Sequence, residues 1–471
     1  MIEMRIVTLL LFGGIAWCAG PDEATRQLSR DIFRELIEIN TTDSVGSTTR
    51  AAEAMANRLR NAGIPAADIH VFGPNDRKGN LVVRFSGTGA KKPVLLIGHL
   101  DVVEALRADW TIDPFQFLEK DGYFYGRGTQ DMKVNDAILV TTFIRFQREG
   151  YRPDRDLILA LTADEEGGKS NGVDWLLRNH RDLVDAEFVL NADSGGVTTV
   201  HGKPVYVDLE ATEKQYADFE LTSVNPGGHS SLPTPDNAIY HLADALSRLE
   251  HAPFPLDLNA VTRTYFERRA TLENAQVKAD MNAILRTPPD AAAAARLSQD
   301  PRYNSMLHTT CVATRLSGGH ANNALPQTAQ ANVNCRILPG HTPEETRQTL
   351  IRVFNDAKVN VRYVEGTAGG GQSPNSKGFP TVMPPPDVMA PLERVAAEMW
   401  RGAPVIPEME TGASDSIYTV AAGMPSYGIN GVAIDQDDIR AHGKDERVRV
   451  SSYFEGVEFY YRFLKALTAA K

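Results

Sequence analysis

Residues 93–101 read PVLLIGHLD, an unbroken apolar run, Pro93–Gly98, that closes on His99 and, two places later, on Asp101. A run this short, apolar at every position, is the pattern of a strand buried on both faces. The pattern recurs at Asp156–Thr162 (DLILALT), followed by Glu165 and Glu166, and at Glu187–Asn191 (EFVLN), followed by Asp193. Between and before these runs, Asp31–Asn40, Ala51–Ala62, Asp136–Gln147 and Val173–Asn179 read as helices, and Asn80–Phe85 alternates like a strand. Buried strands alternating with helices predict an α/β domain, a mixed, largely parallel sheet covered by helices.

The rhythm changes near Glu213. Gln215–Thr222, Thr309–Leu316 and Gln330–Leu338 alternate as strands with one wet face, and Asn237–Leu249 reads as a helix. This predicts a smaller α+β domain at residues 213–367, inserted into a catalytic domain of residues 21–212 and 368–471. The largely helical stretch Leu256–Leu307 falls inside the insert. Gly369–Pro386 is rich in Gly and Pro and reads as a loop near the active site or at the return between domains. Leu392–Trp400 and Ser452–Leu467 resume the helical cover.

The chain has 471 residues, 42% hydrophobic and 23% charged, which suits two or three globular domains and excludes a disordered class. A net charge of −11 without a basic block argues against nucleic acid or anionic lipid as partner. Ile6–Trp17 is too short to cross a membrane but has the length of a signal-peptide core. Residues 1–20 are therefore expected to direct export, periplasmic or secreted, with cleavage after Cys18 or Gly20. Trp17 is bulky for a lipidation signal, so membrane attachment is expected only if Cys18 is lipidated.

The polar residues of interest follow strands: His99, Asp101, Glu165, Glu166 and Asp193, with Asp131 in the Gly-rich loop GRGTQDMK. Singly, a His-x-Asp or a Glu-Glu pair is an ordinary solvated loop. Repeated at the carboxyl ends of successive strands, where α/β sheets bind ligands, they form a constellation. Carboxylates gathered that closely repel one another unless cations join them. Imidazole and carboxylate ligands without thiolate suit catalytic Zn²⁺. His99 and Asp101, two apart on extended backbone, share a face, so Asp101 is expected to orient the imidazole. Glu165 and Glu166, being adjacent, point apart, one to ligate and one to face a water.

Taken in order, GHLDVV, W-x-x-DPF (Trp110–Phe115), GRGTQDMK, ADEEGG, LNADSG, GGHSS, NALP, CRILPG, TGASDS and AHGKDERV resemble a family of co-catalytic di-zinc hydrolases. That family includes glutamate carboxypeptidase, aminoacylase, acetylornithine deacetylase, carnosine dipeptidases and succinyl-diaminopimelate desuccinylase. The resemblance implies two Zn²⁺ per subunit, replaceable by Co²⁺ or Mn²⁺. His99 and Asp193 would hold one, Glu166 and His442 the other, and Asp131 both. Glu165 would be the general acid/base, with Asp101 behind His99. His229 of the insert would polarise the scissile carbonyl, often in the neighbouring subunit's site, so a homodimer is implied. Asn323, Arg336, Gly412 and Ser414 would bind substrate, Arg336 gripping a carboxylate. The family commonly shows Pro and Asn where this chain has Lys444 and Asp445. The implied activity is hydrolysis of a peptide or amide next to a free carboxylate, by a carboxypeptidase or dipeptidase. A deacylase of N-acyl amino acids uses the same site. A binding protein that kept the fold without the chemistry is the reading from another class, and Glu165 speaks against it.

The three cysteines are Cys18, Cys311 and Cys335. If the strands Thr309–Leu316 and Gln330–Leu338 pair antiparallel about a loop centred on Asn323, Cys311 and Cys335 face each other. A disulfide or two half-buried thiols both fit that arrangement.

Overall fold

Each of the three apolar runs is a strand, and each is buried along its whole length: Val94–His99, Leu157–Thr162 and Phe188–Asn191. In this computed structural model, which describes residues 20–252, 254–364 and 382–469, the outer two pair parallel with Val94–His99. Parallel neighbours end on one rim, so His99 lies opposite Thr162 and the loops after all three strands open together. Ser426–Gly428 adds a fourth parallel strand beside Phe188–Asn191. Outside this central block the sheet turns antiparallel on both sides, through Asn80–Phe85 and Lys203–Glu213, within ten strands in all. The sheet is mixed, as expected: beyond the antiparallel joins, Val405–Glu410 again pairs parallel with Lys203–Glu213, and Ala433–Asp435 with Gly196–Val200. Helix Lys133–Glu149 is buried on nearly every side and shares its core with Glu23–Glu38 and Val450–Thr468. No helix among the described residues is long and apolar enough to cross a membrane.

A second sheet forms from strands Thr310–Gly318, Thr328–Ile337, Gln215–Val224 and Val359–Val364, in that spatial order and all antiparallel. Helices Ala238–His251 and Pro343–Phe354 share its apolar core. Only Lys214 separates the last residue of the large sheet's Lys203–Glu213 from the first of Gln215–Val224. Its side chain is fully buried, and its ammonium donates to the carbonyls of Ser305 and His308 at 2.9 and 2.8 Å.

The helices between Leu256 and Leu307 depart from expectation. Ala260–Arg269, Ala275–Ile284, Ala291–Leu297 and Pro301–Leu307 bury their apolar faces with Tyr206 and Ala211 of Lys203–Glu213, and with Ile406 and Met409 of Val405–Glu410. They therefore pack on the large sheet although the chain reaches them from within the insert. The apolar run Ile6–Trp17, Cys18 and residues 369–381 of the expected loop lie outside the described residues.

Cys311 and Cys335 are directly opposed and joined by a disulfide, with Cα atoms 4.1 Å apart. The register centred on Asn323 holds from Thr310↔Arg336 to Ala313↔Val333, then slips by one residue at a bulge before Arg315. Reduction is expected to lower unfolding stability by about 3 kcal/mol, since the bond closes a loop of 24 residues. Urea unfolding of oxidised and reduced protein measures it, and two titratable thiols in the denatured oxidised protein would end the assignment.

Candidate active site

The rim of the parallel strands gathers six of the expected residues. His99 Nε2 lies 3.1 Å from Asp131 Oδ1 and 3.5 Å from Asp193 Oδ1. The other oxygen of Asp131 lies 3.0 Å from His442 Nε2, which is 2.9 Å from Glu166 Oε2. Two groups of three ligand atoms result, His99–Asp131–Asp193 and Asp131–Glu166–His442, each with its atoms within 4.8 Å of one another. They share Asp131, and they bring together the residues of the two sets that the family resemblance implies.

The donor set fits divalent cations. Among the described residues, His99 Nε2 and Asp131 Oδ1 are buried and have no hydrogen-bond partner. Close approach without a hydrogen bond at His99 and Asp131, beside further carboxylates of like charge, is what an ion between them would relieve. Against burial, which raises it, the His442 and His99 rings hold Asp131 below the usual carboxylate range.

Glu165 belongs to neither group. Its Oε2 lies 3.9 Å from His99 Nε2, so it faces the same space without joining the ligands. Burial pushes its carboxyl well above the usual range; Asp193, Asp415 and Glu166 add to this and His99 opposes it. A carboxylate with raised proton affinity is suited to accept and return a proton near neutral pH.

Asp101 acts differently from expectation. His99 Nδ1 meets the backbone carbonyl of Asp101 at 3.0 Å, while the Asp101 carboxylate is 3.7 Å away. A carbonyl only accepts, so Nδ1 carries the proton and Nε2 keeps its lone pair for a metal. The buried carboxylate instead accepts the amides of Glu165 and Glu166 at 3.2 and 3.0 Å. Two amides of a tight loop need acceptors, and this carboxylate satisfies both.

Three further residues hold the site without having been assigned a role. Glu446, fully buried, accepts the amides of Gln130, Asp131 and Gly128 at 2.5, 3.1 and 3.3 Å and the Arg127 guanidinium at 2.6 Å. It thereby ties the Asp131 loop, whose Asp131–Met132 peptide is cis, to the segment carrying His442. Its position four residues after His442 was the available signal. Asp445, where the family commonly shows Asn, accepts the amide of Thr111 at 2.9 Å. Asp415, buried, accepts from Asn171 Nδ2 at 2.6 Å and Thr162 Oγ1 at 3.2 Å.

The remaining expected residues lie on other elements. Gly228–His229 pairs with Ala324–Leu325, and the Ser230 amide donates to the Asn323 carbonyl at 3.1 Å, so His229 and Asn323 are neighbours. The Ser231 amide donates to His229 Nδ1 at 3.2 Å, which leaves the proton on Nε2 of this exposed ring. Arg336, on Thr328–Ile337, stacks over Tyr216 at 4.7 Å and forms no ion pair among the described residues. The Gly412 amide is taken by Glu410 Oε1 at 3.0 Å, and the amide and hydroxyl of Ser414 by Glu213 Oε2 at 2.9 and 3.1 Å. No hydrogen bond or ion pair among the described residues links His229, Asn323 or Arg336 to the six residues of the rim.

The sequence model of peptidase family M20/M25/M40 matches residues 95–466. The chain is 29% identical over 380 residues to the N-fatty-acyl-amino acid synthase/hydrolase PM20D1 of Xenopus tropicalis, covering 79% of this chain and 72% of that protein. It is 28% identical over 386 residues to a Dictyostelium discoideum protein named "Probable carboxypeptidase S-like 2", covering 79% and 71%. Among solved structures, an M20 family metallo-carboxypeptidase of Sulfolobus solfataricus superposes with a TM-score of 0.67 at 16% identity, covering 95% of this chain and 99% of that one.

Proposed function

The chain belongs to peptidase family M20/M25/M40 and is a hydrolase of amide bonds, and on that premise we propose a di-zinc enzyme that cleaves a peptide bond next to a free carboxylate. The observation that carries this is the pair of ligand groups sharing Asp131, with Glu165 beside them and in neither. Histidine and carboxylate ligands without thiolate favour Zn²⁺, with Co²⁺ or Mn²⁺ as substitutes. When bound, the two cations supply Lewis acidity toward the scissile carbonyl and acidify the attacking water. Glu165 takes the proton of that water and returns it to the leaving amine. His229, its Nε2 protonated, donates to the carbonyl oxygen as charge develops there, and Asn323 beside it contributes to the same contact. Arg336, half-buried on its tyrosine and without an ion pair among the described residues, receives the substrate carboxylate bidentately.

The likeness to the Xenopus enzyme favours a second substrate class, N-acyl amino acids, for the same machinery. Export and a homodimer belong to this proposal too. Ile6–Trp17 and the Cys311–Cys335 bond support an oxidising compartment. The edge strand Thr310–Gly318 exposes Val312 and Leu316, 60% and 70% accessible, and an edge unpaired among the described residues that carries apolar side chains suits a second copy of the chain.

Amine release from a panel of dipeptides and N-acyl amino acids, with and without chelator, tests the reading. Metal-dependent release from one class decides between peptidase and deacylase, and none from either rejects both. Amidating the carboxylate of the best substrate should lower kcat/KM by roughly 10- to 150-fold in wild type, the worth of a hydrogen bond to a charged group. In Arg336→Ala the penalty should largely vanish; an unchanged penalty would place the anchor elsewhere.

A further inference from the structure

The loop that carries both Glu165 and Glu166 starts at Asp164, which holds a left-handed backbone, φ +58°, that side chains other than glycine rarely adopt. Its buried carboxylate is enclosed on every side. One oxygen accepts the amide of Ser170 at 3.1 Å and the other pairs with the ammonium of Lys78. Gly168, φ +100°, closes over it, and a Cβ there would run into the carboxylate.

Lys78 is itself buried and stands in the turn before strand Asn80–Phe85. Asn80, two residues on, accepts the amide of Ala163 at 2.9 Å, so the segment Lys78–Asn80 grips the chain on both sides of the peptide entering Asp164. The ammonium also donates to Asp43 Oδ1 at 2.6 Å. Asp43 belongs to a turn fixed by Arg77, which donates to the carbonyls of Gly46 and Asp43 at 2.8 and 2.7 Å. The next residue, Ser44, donates through its amide and hydroxyl to Glu104, both at 2.9 Å, and Glu104 lies three residues beyond Asp101. Lys78 thus stands where the turn after the first helix, the loop after His99 and the loop of Glu165 and Glu166 are tied together.

We propose that Lys78 is a positioning residue for the second metal site: through Asp164 it aims Glu166 at the space shared with Asp131 and His442. This rests on Glu166 being a metal ligand. Without the ammonium, the Asp164 carboxylate is a buried charge with no other counter-ion among the described residues, in a left-handed backbone then held by the Asn80 contact to Ala163, by Asn171 Nδ2 on the Asp164 carbonyl at 3.3 Å and by Asp101 on the next two amides. The loop then relaxes toward solvent and carries Glu166, two residues on, with it. His99, Asp131 and Asp193 stand on other segments and keep their places. Removing an outer partner of a ligand typically weakens metal binding by about 10- to 100-fold, and here the loss falls on one site of two.

The test is a Co²⁺ titration of chelator-stripped full-length protein, followed by visible absorption. The band lost in His442→Ala marks the second site. In Lys78→Met the marked equivalent is expected to weaken by about 10- to 100-fold while the other stays within a few-fold of wild type. Lys78→Arg, whose guanidinium also bridges two carboxylates, is expected to recover most of the loss. Equal weakening of both equivalents, the mark of general destabilisation, overturns the proposal, and so does an unchanged second equivalent. If Lys78→Met does not fold, Asp164→Asn decides: it tolerates the left-handed backbone and lacks the charge, and unchanged second-site affinity there also overturns the proposal. A wild type that binds fewer than two Co²⁺ rejects the two-metal reading itself, a separate outcome that needs no substrate to see.

Discussion

Glu165→Gln is expected to bind two metal ions as wild type does and to lose roughly 10²–10⁴-fold in turnover, the range of a general acid–base group. Metal retention follows from geometry. Glu165 is outside both ligand groups, its nearest ligand nitrogen is 3.9 Å away, and Gln keeps its shape and its backbone amide to Asp101. The loss follows from chemistry, because an amide neither accepts the proton of the attacking water nor returns it to the leaving amine. Burial, the leading cause of the raised proton affinity of Glu165, is what suits it to hold a proton between the two steps. Metal analysis and turnover must be read on one sample. If metal leaves with the activity, Glu165 is a ligand and the proton carrier has to be sought elsewhere.

The core of this site was legible in the sequence because of one geometric fact. Parallel strands end on the same rim, so His99, Glu165, Glu166 and Asp193, each placed just after an apolar run, are brought together by the sheet itself. His442 follows no such run, and only the order of motifs pointed to it. Glu446 and Lys78 show where reading stops. A charged residue in a loop looks the same on paper whether water or protein surrounds it, and the partners that bury Glu446 lie more than 300 residues away. Lys214 is the same case, a lysine between two strands whose complete burial depends on carbonyls at Ser305 and His308. The helices from Ala260 to Leu307 fail differently. Their spacing shows that each has an apolar face but not which sheet receives it, and they met the large one. The register near Cys311 was predictable because a hairpin centre fixes paired sums, and the bulge before Arg315 ended that rule within a few residues.

His229→Ala should reduce turnover by about 10²–10³-fold, as loss of an oxyanion donor does, with metal content unchanged. The ring is exposed, protonated on Nε2 through its Ser231 contact, and hydrogen-bonded to no residue of the rim. A donor so placed must be brought to the carbonyl from outside, by closure of its own small sheet or by a second subunit. Mixing separates the two routes. In a two-fold dimer, protomers carrying His229→Ala and Glu165→Gln form mixed pairs in which one site holds both defects and the other holds neither. Random exchange makes half of all dimers mixed, so about a quarter of wild-type activity should return if His229 crosses the interface. If His229 serves its own subunit, every site keeps one defect and nothing returns. The edge strand Thr310–Gly318 supplies an independent control: if two copies pair along it, as proposed, charges placed at Val312 and Leu316 should separate them. Under the crossing route that splitting also abolishes turnover in the otherwise wild-type chain, whereas monomers that stay fully active would assign the closure to the subunit's own small sheet.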